Sequence, residues 1–375
     1  MKKLKLMTIV GTRPEIIRLS EVIKRCNECF DHILVHTGQN YDYELNQIFF
    51  DDLSLRQPDV FLNAAGKHLG ETVGNIISSS YLAMLTYQPD AVLLLGDTNS
   101  CLAAYSAKRL KIPVFHMEAG NRCFDQNVPE EVNRRIVDCV SDINLTYTEH
   151  SRRYLLSEGA RKEYTFVTGS PMTEVFRSNI EKIEASQVLN QLDLEKEKYI
   201  VISAHREENI DLEKNFFMLM EALNAVAETY DMPIIYSLHP RSKKIMEQRG
   251  ISLHKNLKLM KPFGFHDYNA LQRNAFVVIS DSGTLCEESA ILSFPGVLIR
   301  TSTERPEAID KGTVVIAGIS QSSMLPAIQL LKKTFDYSHQ KYSLPLDYQD
   351  DNVSQKVVRI IQSYTAIINQ YVWRK

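Results

Sequence analysis

Long apolar runs are missing from this sequence. Nowhere in its 375 residues does it hold the roughly 18 consecutive apolar side chains of a membrane-spanning helix, which excludes a helical membrane protein. An excess of one charge is missing as well. Lysine and arginine number 43 against 46 acids, a net charge of −3. Neither nucleic acid nor an anionic membrane surface is therefore expected as a general partner, and an anionic ligand must be held by local donors. Cysteine is sparse and scattered, at Cys26, Cys29, Cys101, Cys123, Cys139 and Cys286. The close pair, Cys26 and Cys29, falls late in an amphipathic helical pattern, which fits reduced cytoplasmic thiols better than zinc or redox chemistry. The ten histidines form no HxxxH or similar cluster, so no metal site is expected. GxGxxG and Walker loops are absent too. The basic start runs from a short apolar segment straight into Thr12-Arg13-Pro14, which reads as a first strand and not as a signal peptide.

What is present is the composition of a globular protein, 44% apolar and 24% charged, in a chain too long for one ordinary core. Two domains are expected. Apolar strand patterns occur at 4–10, 32–37, 91–95, 114–117 and 143–147, alternating with helical patterns after Pro14, over 44–50, 69–85 and 100–110, and from Pro129. The second half repeats the plan with strands at 199–204, 234–238, 276–280, 297–300 and 314–316. Between about Gly169 and Lys198 the chain turns polar, and the crossing between domains is placed there. An amphipathic helix closes the chain over 353–371. This alternation predicts an α/β fold of doubly wound parallel sheets, whose polar strand ends suggest facing domains with a ligand between them.

The strand ends carry the chemistry. Glu118 follows the apolar 114–117 strand and precedes Gly120; nothing about ending a buried strand calls for an acid. Pro129 then opens a helix with Glu130 and Glu131 in its first turn, followed by Asn133, Arg134 and Arg135. Such acids suit either the helix dipole or a crevice at the strand ends. Asp97 ends the 91–95 strand in Gly96-Asp97-Thr98. Arg13 and Arg18, in Gly11-Thr12-Arg13-Pro14-Glu15 and just beyond, place two guanidiniums above the first strand, where bidentate forks suit a diphosphate. In the second half His205-Arg206-Glu207-Glu208-Asn209 and His239-Pro240-Arg241 end strands. Ser280-Asp281-Ser282-Gly283-Thr284 leads into a helix whose N–H groups can hold phosphate, although Asp and Ser there are also ordinary N-caps. Glu287 and Glu288 open that helix, where a carboxylate can accept a ribose diol. Thr303-Glu304-Arg305-Pro306-Glu307 forms a charged loop before a further helix. Cations for a leaving diphosphate, with several acids to move a proton on opposite faces of a carbon, point to a nucleotide-sugar enzyme.

Gly11-Thr-Arg-Pro-Glu, Gly96-Asp-Thr, Glu118-Ala-Gly, Pro129-Glu-Glu-x-Asn-Arg, His205-Arg-Glu-x-Asn, Asp281-Ser-Gly and Thr303-Glu-Arg-Pro-Glu together, in this order, resemble the non-hydrolysing UDP-N-acetylglucosamine 2-epimerases over about residues 4–320. The resemblance implies a GT-B fold of two facing Rossmann-like domains, an N-terminal one of 1–170 plus 353–375 and a UDP-binding one of 171–352. It implies removal of the sugar C2 proton, anti elimination of UDP to a 2-acetamidoglycal, and re-addition with protonation on the opposite face. No cofactor or metal is then needed, and a homodimer is expected. On matching positions Arg13, Asp97, Glu118, Glu130 and His205 would be catalytic. Arg18, Arg134, Arg206 and Arg305 would bind substrate, with Tyr268 at the uracil, Ser282 and Gly283 at the diphosphate and Glu288 at the ribose.

Departures from the family pattern narrow the reading. Arg18 replaces a Lys, Thr284 replaces the second Gly of Ser-Gly-Gly, and Asn121 replaces Leu in Glu-Ala-Gly-Leu-Arg with a shorter loop after it. Asn40-Tyr41-Asp42-Tyr43-Glu44-Leu45 stands where a His-Arg segment is linked to allosteric activation. These features resemble the branch that converts UDP-2-acetamido-2,6-dideoxy-L-talose to UDP-N-acetyl-L-fucosamine for bacterial capsule or O-antigen. The loop between Gly120 and Pro129 is expected to select the sugar. UDP-N-acetylglucosamine/UDP-N-acetylmannosamine interconversion is the alternative, and a GT-B glycosyltransferase or a silent UDP-sugar binder are remoter ones.

Overall fold

Parallel strands covered on both faces need apolar side chains at nearly every position, and the chain supplies them in short runs. The computed structural model describes residues 3–38, 43–126, 128–210, 212–238, 246, 249, 251–300, 302–336 and 344–375. The first half contains β1 (Lys5–Val10), α1 (Arg13–Cys29), β2 (Asp31–His36), α2 (Tyr43–Asp52), β3 (Val60–Phe61), α3 (Leu69–Tyr87) and β4 (Ala91–Leu95). A 3-10 turn (Asn99–Leu102) leads into α4 (Ala103–Arg109), followed by β5 (Val114–Met117), α5 (Pro129–Val140), β6 (Ile143–Thr146), α6 (Glu149–Ser157) and β7 (Thr165–Val167). These strands form one parallel sheet in the order β3-β2-β1-β4-β5-β6-β7. Met7, Ile9, Val92 and Leu94 pack one face of it against Ile76, Met84, Ala104 and Ala107 from α3 and α4.

The second half contains α7 (Met172–Glu184), α8 (Val188–Gln191), β8 (Ile200–Ser203), α9 (Glu207–Ile210), α10 (Glu213–Tyr230), β9 (Ile234–Ser237), β10 (Leu257–Met260), α11 (Phe265–Arg273) and β11 (Val277–Ser280). α12 (Leu285–Leu292), β12 (Gly296–Leu298), α13 (Pro306–Asp310), β13 (Val314–Ile316), α14 (Gln321–Thr334) and α15 (Val353–Tyr371) complete it. Its parallel sheet runs β10-β9-β8-β11-β12-β13. Ile200, Ile202, Ile234 and Ile279 pack there against Phe216, Leu223 and Ile328. The expected class, two α/β parallel-sheet units, is the one observed.

The polar stretch expected as a crossing is largely helical. Met172, Val175, Phe176, Asn179 and Ile183 fall on one buried stripe of α7, although the charged residues Glu174, Arg177, Glu181 and Lys182 are interspersed among them. The chain divides into Met1–Ser178 with Leu346–Lys375, and Asn179–Pro345. Against the expected limits of 170 and 353, the first unit thus keeps more of both crossing strands of chain. Hydrogen bonds explain this. Ser170 N donates to Asp347 O (3.0 Å), Thr173 Oγ1 to Tyr348 O, and Ser354 N to Glu174 Oε2 (2.8 Å), while Arg177 pairs with Asp351. α15 buries Val357, Ile361 and Ile368 and packs on α1.

Candidate functional site

In a doubly wound sheet the strand order reverses at one place, and the loops leaving the carboxyl strand ends diverge there. In the first unit that place lies between β1 and β4. Glu15 bridges the two loops. It is 1% exposed and accepts from Gly11 N (3.0 Å), Thr12 Oγ1 (2.8 Å) and, across the reversal, Ser100 Oγ (2.5 Å). Burial pushes its carboxyl up to about 7, against the opposing pull of the bonds from Ser100, Thr12 and Gly11. Arg13 lies exposed at the first turn of α1, its guanidinium 5.5 Å above the Phe49 ring. Arg18, one turn further, points inward and pairs with Glu118.

Glu118 directly follows β5 with φ 61°, a left-handed backbone that costs a non-glycine residue roughly 1–2 kcal/mol. Its buried carboxylate also receives Asn121 Nδ2 (3.4 Å) and approaches Arg134 Nη2 (3.7 Å). Gly96 makes the space: its φ is 79°, and a Cβ there would stand 3.3 Å from Glu118 Oε2. Arg134, from the second turn of α5, pairs with Asp97 and donates to Asn121 O (3.3 Å). Arg18, Asp97, Glu118 and Arg134 therefore form one cluster in which two guanidiniums balance two carboxylates.

The α5 acids part company. Glu131 is buried, accepting from Cys123 N (3.0 Å) and Arg135 Nε (2.9 Å), so it fastens the preceding loop to the helix. Glu130 is half-buried and has no hydrogen-bond or ion-pair partner among the described residues. The loop expected to select the sugar is not one unit either. Asn121 is buried between Glu118 and Ser151, whose Oγ it accepts at 2.5 Å. Arg122 turns into the protein instead, spanning Glu158 (2.6 Å) and Asp138 (2.7 Å). Asp138 in turn accepts Gly120 N (3.1 Å) and faces His116 Nδ1 (2.9 Å). Phe124 is exposed, edge-on to Tyr154 with centroids 5.2 Å apart.

In the second unit the reversal lies between β8 and β11. Asp281, fully buried, accepts on Oδ2 from His205 N (3.0 Å), Arg206 N (2.9 Å) and Asn209 Nδ2 (3.0 Å). Arg206 Nε donates to Asp281 O (3.1 Å), and the His205 side chain is 43% exposed. Ser282 and Thr284 share a hydroxyl bond of 2.8 Å, so the residue replacing the family's second glycine braces the turn. Gly283 leaves room for Glu304, whose Oε1 would stand 2.5 Å from a Cβ. Glu288 Oε2 accepts from Gln272 Nε2 (2.8 Å) on α11, one turn beyond Tyr268, which puts Tyr268 on the adjoining helix face. Arg305 is fully buried, with Nη2 3.1 Å from Glu287 Oε2, a pairing that ties its loop to α12.

The structure thus gathers Arg18, Asp97, Glu118 and Arg134 in one unit, with Arg13 and Glu130 nearby in chain, and His205, Arg206, Ser282 and Gly283 around Asp281 in the other. Glu15, Asn121's partner Ser151 and the Asp281 contacts carried no distinct signal: an acid in a first turn, or an Asp in a βα turn, reads as dipole pairing or capping. His239, Arg241 and residues 40–42 lie outside the described residues, as do the side chains of Tyr43, Glu44, Leu45, Glu207 and Glu208.

Comparison with known proteins agrees with this architecture. The family described as UDP-N-acetylglucosamine 2-epimerase matches residues 24–362. The UDP-N-acetylglucosamine 2-epimerase of Methanocaldococcus jannaschii is 34% identical over 338 residues, covering 88% of this chain and 92% of its own. The UDP-2,3-diacetamido-2,3-dideoxy-D-glucuronate 2-epimerase of Pseudomonas aeruginosa is 31% identical over 90% of this chain and 96% of its own. Among solved structures, UDP-N-acetylglucosamine 2-epimerase from Rickettsia bellii superposes with a TM-score of 0.93 at 45% identity, covering 100% of both chains. The Methanocaldococcus jannaschii enzyme in complex with UDP-GlcNAc and UDP gives 0.89 at 32% identity, over 96% of this chain and 99% of that one. The chain belongs to the UDP-N-acetylglucosamine 2-epimerase family, isomerases that act on UDP-sugars.

Proposed function

We propose that the protein epimerises C2 of a UDP-2-acetamido-2,6-dideoxy-L-talose, giving UDP-N-acetyl-L-fucosamine. The observation that carries the chemistry is the cluster around Glu118, in which Arg18, Arg134 and Asn121 hold one carboxylate beside the Asp97–Arg134 pair. A carboxylate removes the C2 proton, the electron pair forms the C1–C2 double bond, and the C1–oxygen bond breaks to release UDP. The return adds the UDP oxygen to C1 and a proton to C2 from the opposite face. Asp97, Glu118 and Glu130 are the acids for these proton transfers, and Arg13, Arg18, Arg206 and His205 supply positive charge and donors for the departing diphosphate. Ser282, Gly283, Tyr268 and Glu288 are assigned to the diphosphate turn, the base and the ribose.

The L-talo assignment is supported by Asn121, which places a polar amide against Glu118 where the family pattern has Leu. Interconversion of UDP-N-acetylglucosamine and UDP-N-acetylmannosamine is the second reading, favoured by the names of most relatives. Turnover of both substrates in D2O, followed by NMR, separates them. We expect deuterium at C2 of recovered substrate and product, faster with the L-talo sugar. Asn121→Leu should move the kcat/KM ratio toward the D-gluco substrate. Turnover without deuterium would defeat the elimination mechanism, and a D-gluco preference in the unaltered protein would defeat the L-talo assignment.

A further inference from the structure

The two oxygens of Asp281 are treated differently. Oδ2 is saturated by two backbone N–H groups and the Asn209 amide. Oδ1 is buried and has no hydrogen bond among the described residues, an unfavourable state for a polar group. Facing it is His205 Nδ1, at 3.4 Å. This approach follows from topology. β8 and β11 are parallel neighbours with Ser203 opposite Ser280, so the residues that leave the two strands next are brought together at the reversal. Two other polar groups at this junction have partners: Arg206 Nε donates to Asp281 O (3.1 Å), and the buried Tyr236 hydroxyl donates to Ala204 O (3.2 Å).

We propose that Asp281 is a positioning residue for His205. A small turn of the imidazole converts the 3.4 Å approach into an Nδ1–H···Oδ1 hydrogen bond. The bond fixes the tautomer and the ring plane, and it leaves Nε2 as the nitrogen offered to a ligand. A carboxylate suits this duty because it accepts at both oxygens: one holds the 205–209 backbone, the other the ring. The catalytic consequence rests on His205 serving the epimerase reaction as proposed above. Asp281 itself touches no substrate in this account.

Nitrogen NMR of the imidazoles tests it in the unaltered enzyme, with the His205 signals assigned by their loss in His205→Gln. With the ring neutral, the proton is expected on Nδ1. In Asp281→Asn the three donors to the Oδ2 position hold the amide oxygen there, so the amide NH2 faces the ring. Nδ1 must then accept, and the proton moves to Nε2. The accompanying loss in kcat is expected to be about 10²–10⁴-fold, the range for general acid–base groups and wrongly held tautomers. In a His205→Gln background Asp281→Asn should cost little more, because both changes remove one function. An Nε2–H tautomer in the unaltered enzyme, or equal losses in the two backgrounds, would overturn the assignment. The unaltered enzyme decides the point even if Asp281→Asn does not fold. If the tautomer switches as expected while no C2 exchange occurs with either sugar, the proposed function fails and the Asp281–His205 pair stands.

Discussion

Glu15 shows what a single buried acid does at the strand reversal. Its carboxylate joins the β1 loop that carries Arg13 to the loop that carries Asp97, through Gly11 N, Thr12 Oγ1 and Ser100 Oγ. Burial favours its protonated form and raises its carboxyl from 4.5 to about 7. A raised carboxyl pKa adds stability that is fully present below 4.5 and disappears as the pH rises through 7. The effect is about 3 kcal/mol, because each tenfold change in proton affinity is worth about 1.4 kcal/mol. Glu15→Gln has no such titration. The stability of the unaltered protein relative to this variant should therefore fall by that order between pH 4.5 and pH 8, measured by urea unfolding at both ends. A difference that stays constant with pH would show that Glu15 does not titrate in this window.

At the scale of elements, α15 lacks a side-chain cap of its own, since Asn352 makes no capping bond. A carboxylate from α7 takes that place: Glu174 accepts Ser354 N (2.8 Å) and Ser354 Oγ (2.5 Å). An acid at a helix start also meets the positive end of the dipole. Glu174→Ala should destabilise the first unit by about 1 kcal/mol, the usual cost of a lost N-cap, and should speed amide exchange at the start of α15. Exchange that rises instead in the middle of α15 would show that the cap is not what anchors it. This cross-helix capping also explains what the sequence could and could not disclose. β1, β4, β5, β8 and β11 were legible because strands buried on both faces read as apolar runs, and Pro14 and Pro129 marked helix starts. β3, β7 and β10 were not, since runs of two to four residues at or near the sheet edges give no period. The same holds for the site. Glu118, Asp97 and the paired arginines stood out as polar groups at strand ends. The burial of Arg122 and Arg305, and the left-handed backbone of Glu118, depend on partners distant in sequence and had no local mark.

Over the whole chain, positive groups do not outnumber negative ones, so no overall field draws in a diphosphate. Any grip must come from local donors, and each unit offers different groups at its own strand ends. The first concentrates carboxylates with guanidiniums around Glu118. The second offers a hydroxyl-braced turn at the start of α12, with Gln272 and Glu288 bonded beside the face of α11 that carries Tyr268. Each unit also has its own apolar core, so ligand stabilisation need not be shared equally between them. UDP without a sugar should then act mainly on the second unit. At a concentration about 100 times its Kd, UDP should add about 2.7 kcal/mol to that unit's stability. Hydrogen exchange should slow most over 264–272 and 280–288, with smaller changes over 96–99 and 118–122. Protection confined to the first unit would place the nucleotide grip at Arg13 and Arg18 and remove the roles assigned to Tyr268 and Glu288.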